Sequence, residues 1–554
     1  MPREDASGEY RILLLGWQGT LRPVGEEASA AQEARAVSAF RPWLDTALRR
    51  LQDDVSQEHC VRCGKRLPVE QLLTPLLHRL MGIAAAACWR ESERHSSWLN
   101  VHPADALSAS RYVDYAETLI QQWVGATGLF LRRLHTDSVR LSAWMGRSDM
   151  PGITGLAATN SDLHDAGGAT VRIEFSDGSC VFYKPRPVVG ELLWYELTRA
   201  TTLVDPDCEV TAARVLRGGN ESTCEYGWMD ELRRDKMRGK LTPVAYWQKA
   251  GSLLCHAWIA NMTDLHMGNV LATSTGPAVV DAECLATPEQ VGPAEDDSAA
   301  RLSIELVRTG LLPAGARKHS KGSDSGLPDL SGFFGNPESV PGIRLPVWIF
   351  HENGSASLTF TPCRLVDQGN RSGEDSSISC VQAVVEGFVR AARALVQARD
   401  HLLEAGGWLD RLGSLHAPRV LLRDTLDYTV WLNEILLHGK TTEHRSGKDL
   451  TGGTGRTCRI TPEYVSSVYE EERRAVERLH VPRFFIPGSS RDLSANLGSI
   501  VARNVIEAPF TECVRARLEG LSLNSLQPGL MPALLWPLLR SAGSTALTPT
   551  ARVC

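Results

Sequence analysis

Residues 263–285, TDLHMGNVLATSTGPAVVDAECL, decide how the rest of the chain is read. They hold Asp264-x-His266-x-x-Asn269, a short apolar run, a Ser-Thr-Gly-Pro turn and a second apolar run ending in Asp281-Ala282-Glu283. Ser274 to Pro277 reads as a hairpin connection, because Gly and Pro punctuate paired strands. Antiparallel pairing of 269–273 with 278–281 brings Asn269 and Asp281 side by side at the open end. A carbonyl oxygen and a carboxylate there suit a hard cation such as Mg²⁺. Asp264, just upstream, is placed to accept a proton from an incoming hydroxyl. Metal ligands and a base flanking one phosphoryl group are what phosphoryl transfer requires.

A second hairpin lies upstream. Residues 170–175 and 180–184 are strand-like and flank Asp177-Gly178, a strong turn signal. A two-residue turn pairs Phe175 with Cys180, Ile173 with Phe182 and Val171 with Lys184, and paired residues share a face. Val171, Ile173 and Phe182 are then expected as an apolar roof over adenine. The Lys184 ammonium stands at its edge, beside Gly167 and Gly168, which permit close backbone approach to phosphate. Glu191 and Glu196, on the helix that follows, are both candidate partners for Lys184. Tyr226-Gly227-Trp228 lies in a short apolar strand of the kind a nucleotide hinge needs for backbone contact with adenine; a buried edge strand fits the same pattern. Residues 246–262 then show helical spacing and lead into Asp264.

Length and composition set the frame. A chain of 554 residues with 43% hydrophobic and 22% charged residues can bury a large core. Its net charge of −6 gives no general reason to expect nucleic acid. No run approaches the roughly 18 apolar residues of a membrane span, so none is expected. Thirteen scattered cysteines, an odd number, suit reduced thiols in a cytoplasm. Cys60-x-x-Cys63 lacks a second pair and is weak as a zinc site. The expected fold class is α+β in three parts: a helical N-terminal region (1–145), a catalytic core (146–290) and a helical C-terminal part (291–554). Residues 438–455 are polar and Gly-rich and read as a loop.

Several further motifs follow in order. They are 303–313 (SIELVRTGLLP), Asp329-Leu-Ser-Gly332, Gly387-Phe388 opening a long helix, Arg419-x-x-x-Arg423-x-Thr425-x-x-Tyr428 and Val481-Pro-Arg483-Phe484. Together with 161–186, 226–230 and 264–283, they resemble the dehydratase domain of class II lanthipeptide synthetases, the LanM family. The resemblance covers roughly residues 132–491.

It implies a kinase-like, bilobal fold related to lipid kinases. It also implies an activity: ATP- and Mg²⁺-dependent phosphorylation of Ser and Thr in a ribosomally made precursor peptide, leader plus core. Elimination of the phosphate then leaves dehydroalanine or dehydrobutyrine, and ADP is the by-product. Carried over, Lys184 holds the ATP phosphates, Asp264 positions or deprotonates the hydroxyl, and Asn269 and Asp281 bind Mg²⁺. His266 and Glu283 support the site. Asp162, His164, Arg419 and Thr425 match residues of the elimination step, in which a bidentate arginine suits a departing phosphate. No cluster of zinc cysteines and histidine is found near residue 554, so a dehydratase without the family's cyclase is expected, with downstream modifying enzymes as partners. Two other readings are a peptide kinase that stops at the phosphoester and a catalytically silent kinase-like module that binds a peptide.

Overall fold

The computed structural model describes residues 11–15, 21–24, 29–56, 59, 61–62, 65–92, 102–108, 112–159, 167–219, 224–235, 241–288, 298–313, 330–334, 339–366, 370, 378–423, 425–438, 460–496, 498–524, 530–531 and 533–534. Three long helices come first: α1 (Ala30–Asp54), α2 (Thr74–Ser92) and α3 (Tyr112–Thr136). The Ser29 hydroxyl caps α1 by accepting from the Gln32 amide. Phe40, Leu44, Ala47 and Leu51 fall on one stripe of α1 and are buried, as spacing of three and four dictates.

A five-stranded antiparallel sheet follows, built from β1 (Ile153–Ala158), β2 (Val171–Phe175), β3 (Cys180–Lys184), β4 (Val215–Gly218) and β5 (Tyr226–Asp230), in the order β1-β2-β3-β5-β4. Helix α4 (Val189–Val204) connects β3 to β4. The β2–β3 register differs from the expected one by a residue. Val171 faces Tyr183, Ile173 faces Val181 and Glu174 faces Cys180, because the connection has three residues, Ser176-Asp177-Gly178. The Phe175 amide closes it by donating to the Ser179 carbonyl at 2.9 Å, and Gly178 takes φ +79. Three-residue loops end in such a left-handed position. A slip of one residue exchanges the faces of a strand.

The expected adenine roof is therefore corrected. Val171 and Ile173 lie on the opposite face from Lys184, with Val181, Tyr183, Tyr226 and Trp228, buried against α2 and α3 in one core. Each large apolar side chain buried there contributes roughly 1.5–3 kcal/mol. The Lys184 face carries Phe182, Gly227 and Met229 instead. Packing thus runs from the N-terminal helices into the sheet across residue 145.

Helix α5 (Pro243–Ile259) leads to the hairpin β6 (Val270–Thr273) and β7 (Gly276–Val279), and α6 (Ser298–Arg308) follows. A long hairpin, β8 (Ser339–Phe350) and β9 (Ala356–Leu365), is flanked by 11–12 and 21–23 in a four-stranded sheet. Then come α7 (Ile378–Leu403), α8 (Trp408–Leu415), β10 (Arg419–Val420), α9 (Thr425–His438), α10 (Pro462–Glu477), β11 (Phe484–Phe485), β12 (Leu493–Ala495), β13 (Ser499–Ala502) and α11 (Phe510–Gly520). Strands β10 to β13 form the other four-stranded sheet.

The C-terminal part is therefore not purely helical. Pro341, Gly342 and Pro346 mask β8 in the sequence, since Pro lacks a ladder donor; a register shift between Val340 and Arg344 accommodates the first two, and Pro346 stands opposite Phe360 in the ladder. Gly387 lies inside α7 rather than at its start, where a Cβ would stand 1.8 Å from the Gln248 carbonyl of α5. Residues 69–90, which hold most of α2, are long and apolar enough by length and composition to cross a membrane, and they are mostly buried inside the protein, as a core helix is. No disulfide joins any two of the nine cysteines among the described residues. Cys60, Cys63, Asp329 and the expected loop beyond residue 438 lie outside the described residues.

Candidate active site

The hairpin β6–β7 turns through Ser274-Thr275, with Pro277 already paired to Ala272. At its open end the Val280 amide donates to the Asn269 carbonyl at 3.0 Å, and Asp281 follows directly. The loop before it is fixed by its own backbone. Leu265 donates to Thr309 and Met267 to Leu330. The Asn370 side chain donates to the carbonyls of Met267, Val270 and Gly332 and accepts from the Ala272 amide. Asp264 sits in this loop at φ +64. The Asn269 Nδ2 donates to the Asp264 carbonyl at 2.9 Å, so Oδ1 is the atom Asn269 offers to other groups. The His266 Nδ1 accepts from the Gly268 amide at 3.0 Å, which puts the proton of a neutral ring on Nε2.

Lys184 reaches this end from the sheet. Its Nζ donates to Glu191 Oε1 at 2.8 Å and to the Val280 carbonyl at 2.6 Å, and lies 3.7 Å from Asp281 Oδ2. Of the two candidate partners, Glu191 is the one. Glu196 pairs with Arg411 at 2.8 Å instead. Glu191 is placed there by Gly190, where a Cβ would lie 2.2 Å from the Ala282 carbonyl, so the first turn of α4 rests directly on the Asp281–Glu283 backbone. Arg186 binds Glu191 Oε1 at 2.6 Å and Asp281 Oδ1 at 2.7 Å.

Glu283 extends the cluster. Arg186 Nε lies 3.4 Å from its Oε2, Arg483 Nη2 donates to Oε2 at 2.8 Å, and Arg419 Nη1 pairs with Oε1. The Arg419 amide also donates to the Glu283 carbonyl at 2.9 Å, stitching β10 to the end of the hairpin. Lys184, Asp281 and Arg419, which the sequence assigned to one site, therefore stand in one ionic network. Thr425 opens α9, half-buried, and its carbonyl accepts from the Thr429 hydroxyl.

Electrostatics follow from this crowding. Burial opposes ionisation of Glu191, but the charges of Arg186 and Lys184 outweigh it and hold the carboxyl well below the usual range. Burial pushes the Asp264 carboxyl upward. His266 and Arg419 oppose that, while Glu283 and Asp281 add to it. Burial also raises the Cys284 thiol well above its ordinary value, which leaves it unreactive.

The side chains of Tyr226 and Trp228 do not share the Lys184 face. Arg133 lies 4.0 Å over the Tyr226 ring, and the Trp228 Nε1 donates to Asp137 at 2.8 Å. The backbone of β5 is taken up by ladders to β3 and β4, so the expected hinge contact does not fall on this strand; Gly227, opposite Lys184, shares the Lys184 face. Asp162 and His164 lie outside the described residues. Sequence reading missed Arg186, Arg483 and the buried set of Arg423, Glu472 and Tyr428, in which both Arg423 and Tyr428 donate to Glu472. Arg186 was legible in principle: two residues beyond Lys184, it continues the same face.

The donor set suits a small hard cation held partly by phosphates. Asn269 Oδ1 and the Asp281 carboxylate are the two oxygen donors that Mg²⁺ would take there, alongside substrate phosphates. Among the described residues no group of three or more His, Cys, Asp or Glu forms a self-sufficient cage.

The chain matches the family described as Domain of unknown function (DUF4135) over residues 113–486, well over half its length, and belongs to that family. The matched span contains every site residue above. A relative is the Lacticin 481/lactococcin biosynthesis protein LcnDR2 of Lactococcus lactis subsp. lactis, 25% identical over 220 residues, 38% of this chain and 23% of that protein. The match spans under a quarter of that relative's length. With the family match, it supports the resemblance drawn from the motifs: the chain is of LanM type.

Proposed function

We propose that this chain takes part in lanthipeptide maturation as a peptide Ser/Thr dehydratase with a kinase-like core. It transfers phosphate from ATP to a hydroxyl of a ribosomally made precursor peptide and then eliminates that phosphate. The observation that carries this reading is the single network running from Lys184 through Asp281 and Glu283 to Arg419. A phosphotransferase needs the first half of it and a phosphate lyase the second.

In the first step Lys184, held at the sheet end by Glu191, grips nucleotide phosphates as a point charge. Mg²⁺, when held by Asn269 and Asp281, neutralises charge on the phosphoryl group being transferred. Asp264 takes the hydroxyl proton while the serine or threonine oxygen bonds to the γ-phosphorus; the bond from that phosphorus to ADP breaks, and ADP leaves with its electron pair. In the second step a base of the site removes the Cα proton and the C–H electron pair becomes the double bond. The Cβ–O bond breaks and its electrons leave with phosphate. Arg419 meets that charge: it is buried, and its Nε has no hydrogen-bond partner among the described residues. A buried donor of this kind favours an incoming anion.

Mass spectrometry of a precursor peptide incubated with protein, ATP and Mg²⁺ tests the reading. Loss of one water per modified residue is expected. Arg419→Ala should accumulate phosphopeptide, with elimination slowed about a hundredfold or more. Asp281→Ala should give neither product. Accumulation of phosphopeptide by the unaltered protein would reduce the assignment to a kinase, and an Arg419→Ala protein that dehydrates normally would remove the elimination role.

A further inference from the structure

Glu283 is gripped by three arginines from separate parts of the chain. Arg186 follows β3, Arg419 lies in β10 and Arg483 precedes β11. Their side chains are 10%, 7% and 4% exposed. The pairing of Arg419 with Phe485 across β10 and β11 fixes two of them relative to each other, and the Arg483 guanidinium lies 5.1 Å from the Phe485 ring centre. Arg419 and Arg483 bring their forks to this one carboxylate, and Arg186 adds its Nε while its Nη atoms hold Glu191, Asp281 and the Pro187 carbonyl. A phosphate ester dianion has three acceptor oxygens and more charge, and matches such a set better than the carboxylate does. Among the described residues four cations, Lys184, Arg186, Arg419 and Arg483, face the carboxylates of Glu191, Asp281 and Glu283, with Asp264 acting on Arg419 from the neighbouring loop.

We propose that Arg483 is a third phosphate-gripping residue, closing with Arg419 and Arg186 on the phosphate of the modified peptide, and that Glu283 fills this clamp as an internal anion until the ester arrives. The proposal rests on the dehydratase reading and deepens it. It makes two opposite demands. Removing Arg483 weakens the hold on phosphate, whereas neutralising Glu283 strengthens it by removing the competing anion. A merely structural Arg483–Glu283 pair would not separate the two substitutions in sign.

The test is calorimetric titration of the full chain, without nucleotide or Mg²⁺, with a synthetic phosphoserine peptide and its unphosphorylated twin. Arg483→Gln should reduce the preference for the phosphopeptide about tenfold or more. Arg483→Lys, which keeps the charge but not the fork, should recover part of it. Glu283→Gln should raise the preference several-fold. Elimination from the same phosphopeptide, followed by mass spectrometry with ADP and Mg²⁺, should slow in Arg483→Gln. Unchanged phosphopeptide preference and elimination in Arg483→Gln, beside normal dehydration by the unaltered protein, would overturn the clamp alone. An unaltered protein that never dehydrates, yet shows an Arg483-dependent preference with the Glu283→Gln gain, would sink the dehydratase reading and keep the clamp.

Discussion

At the scale of single residues, Glu191 and Glu196 show how burial decides what a charge does. They lie on one helix, five positions apart, and either could have served Lys184. Glu191 is buried with Lys184 and Arg186 on it, whereas the Glu196–Arg411 pair is partly exposed, at 25% and 41%. Removing one partner of a buried ionic set leaves uncompensated charge and costs about 3–5 kcal/mol. A surface pair contributes about 1 kcal/mol or less. Glu191→Gln is therefore expected to lower unfolding stability by several kcal/mol in urea titration, and Glu196→Gln by under about 1 kcal/mol. Equal losses would show that the Lys184 network is not the rigid anchor the geometry describes.

At the scale of elements, the contact of α4 with the hairpin end is the joint between sheet and site. Gly190→Ala would place a Cβ against the Ala282 carbonyl, which is backbone and cannot rotate aside. Overpacking of this kind costs roughly 1–3 kcal/mol. Because Glu191 moves with the helix turn, phosphorylation should fall by more than the stability loss explains. Steady-state kinetics at a temperature where the variant remains folded checks this, and wild-type kcat would count against it. The elements also show where sequence reading succeeds. The β6–β7 hairpin, β2, β3 and the helical character of the N-terminal region were legible from turn residues and apolar spacing. The β2–β3 register was not, because Asp177-Gly178 suits loops of two or three residues and only the fold around it chooses. Hidden strands such as β8 were masked by Pro and Gly. Arg483 was invisible as a site residue because β10 and β11 meet only in three dimensions, 64 positions apart.

Across the whole molecule, two histidines link packing to pH. His256 lies inside α5 and His416 follows α8; burial lowers each to about 4. In the unfolded chain an imidazole binds its proton near pH 6.5. Between those values the unfolded state holds more protons, so stability is fully present above pH 6.5 and is lost as pH falls toward 4. The loss is on the order of 3 kcal/mol for each histidine. Thermal unfolding measured from pH 7 to pH 4.5 should show a falling Tm, and His416→Gln should flatten the slope. An unchanged slope would assign the acid sensitivity elsewhere.

The left-handed backbone at Asp264 has a practical consequence for anyone dissecting the chemistry. Only Gly, Asn and Asp visit that conformation readily. An alanine there removes a carboxylate and strains the loop together, so its inactivity would be uninterpretable. Asparagine keeps the turn and deletes only the carboxylate proposed as proton acceptor, which makes Asp264→Asn the isosteric probe of choice.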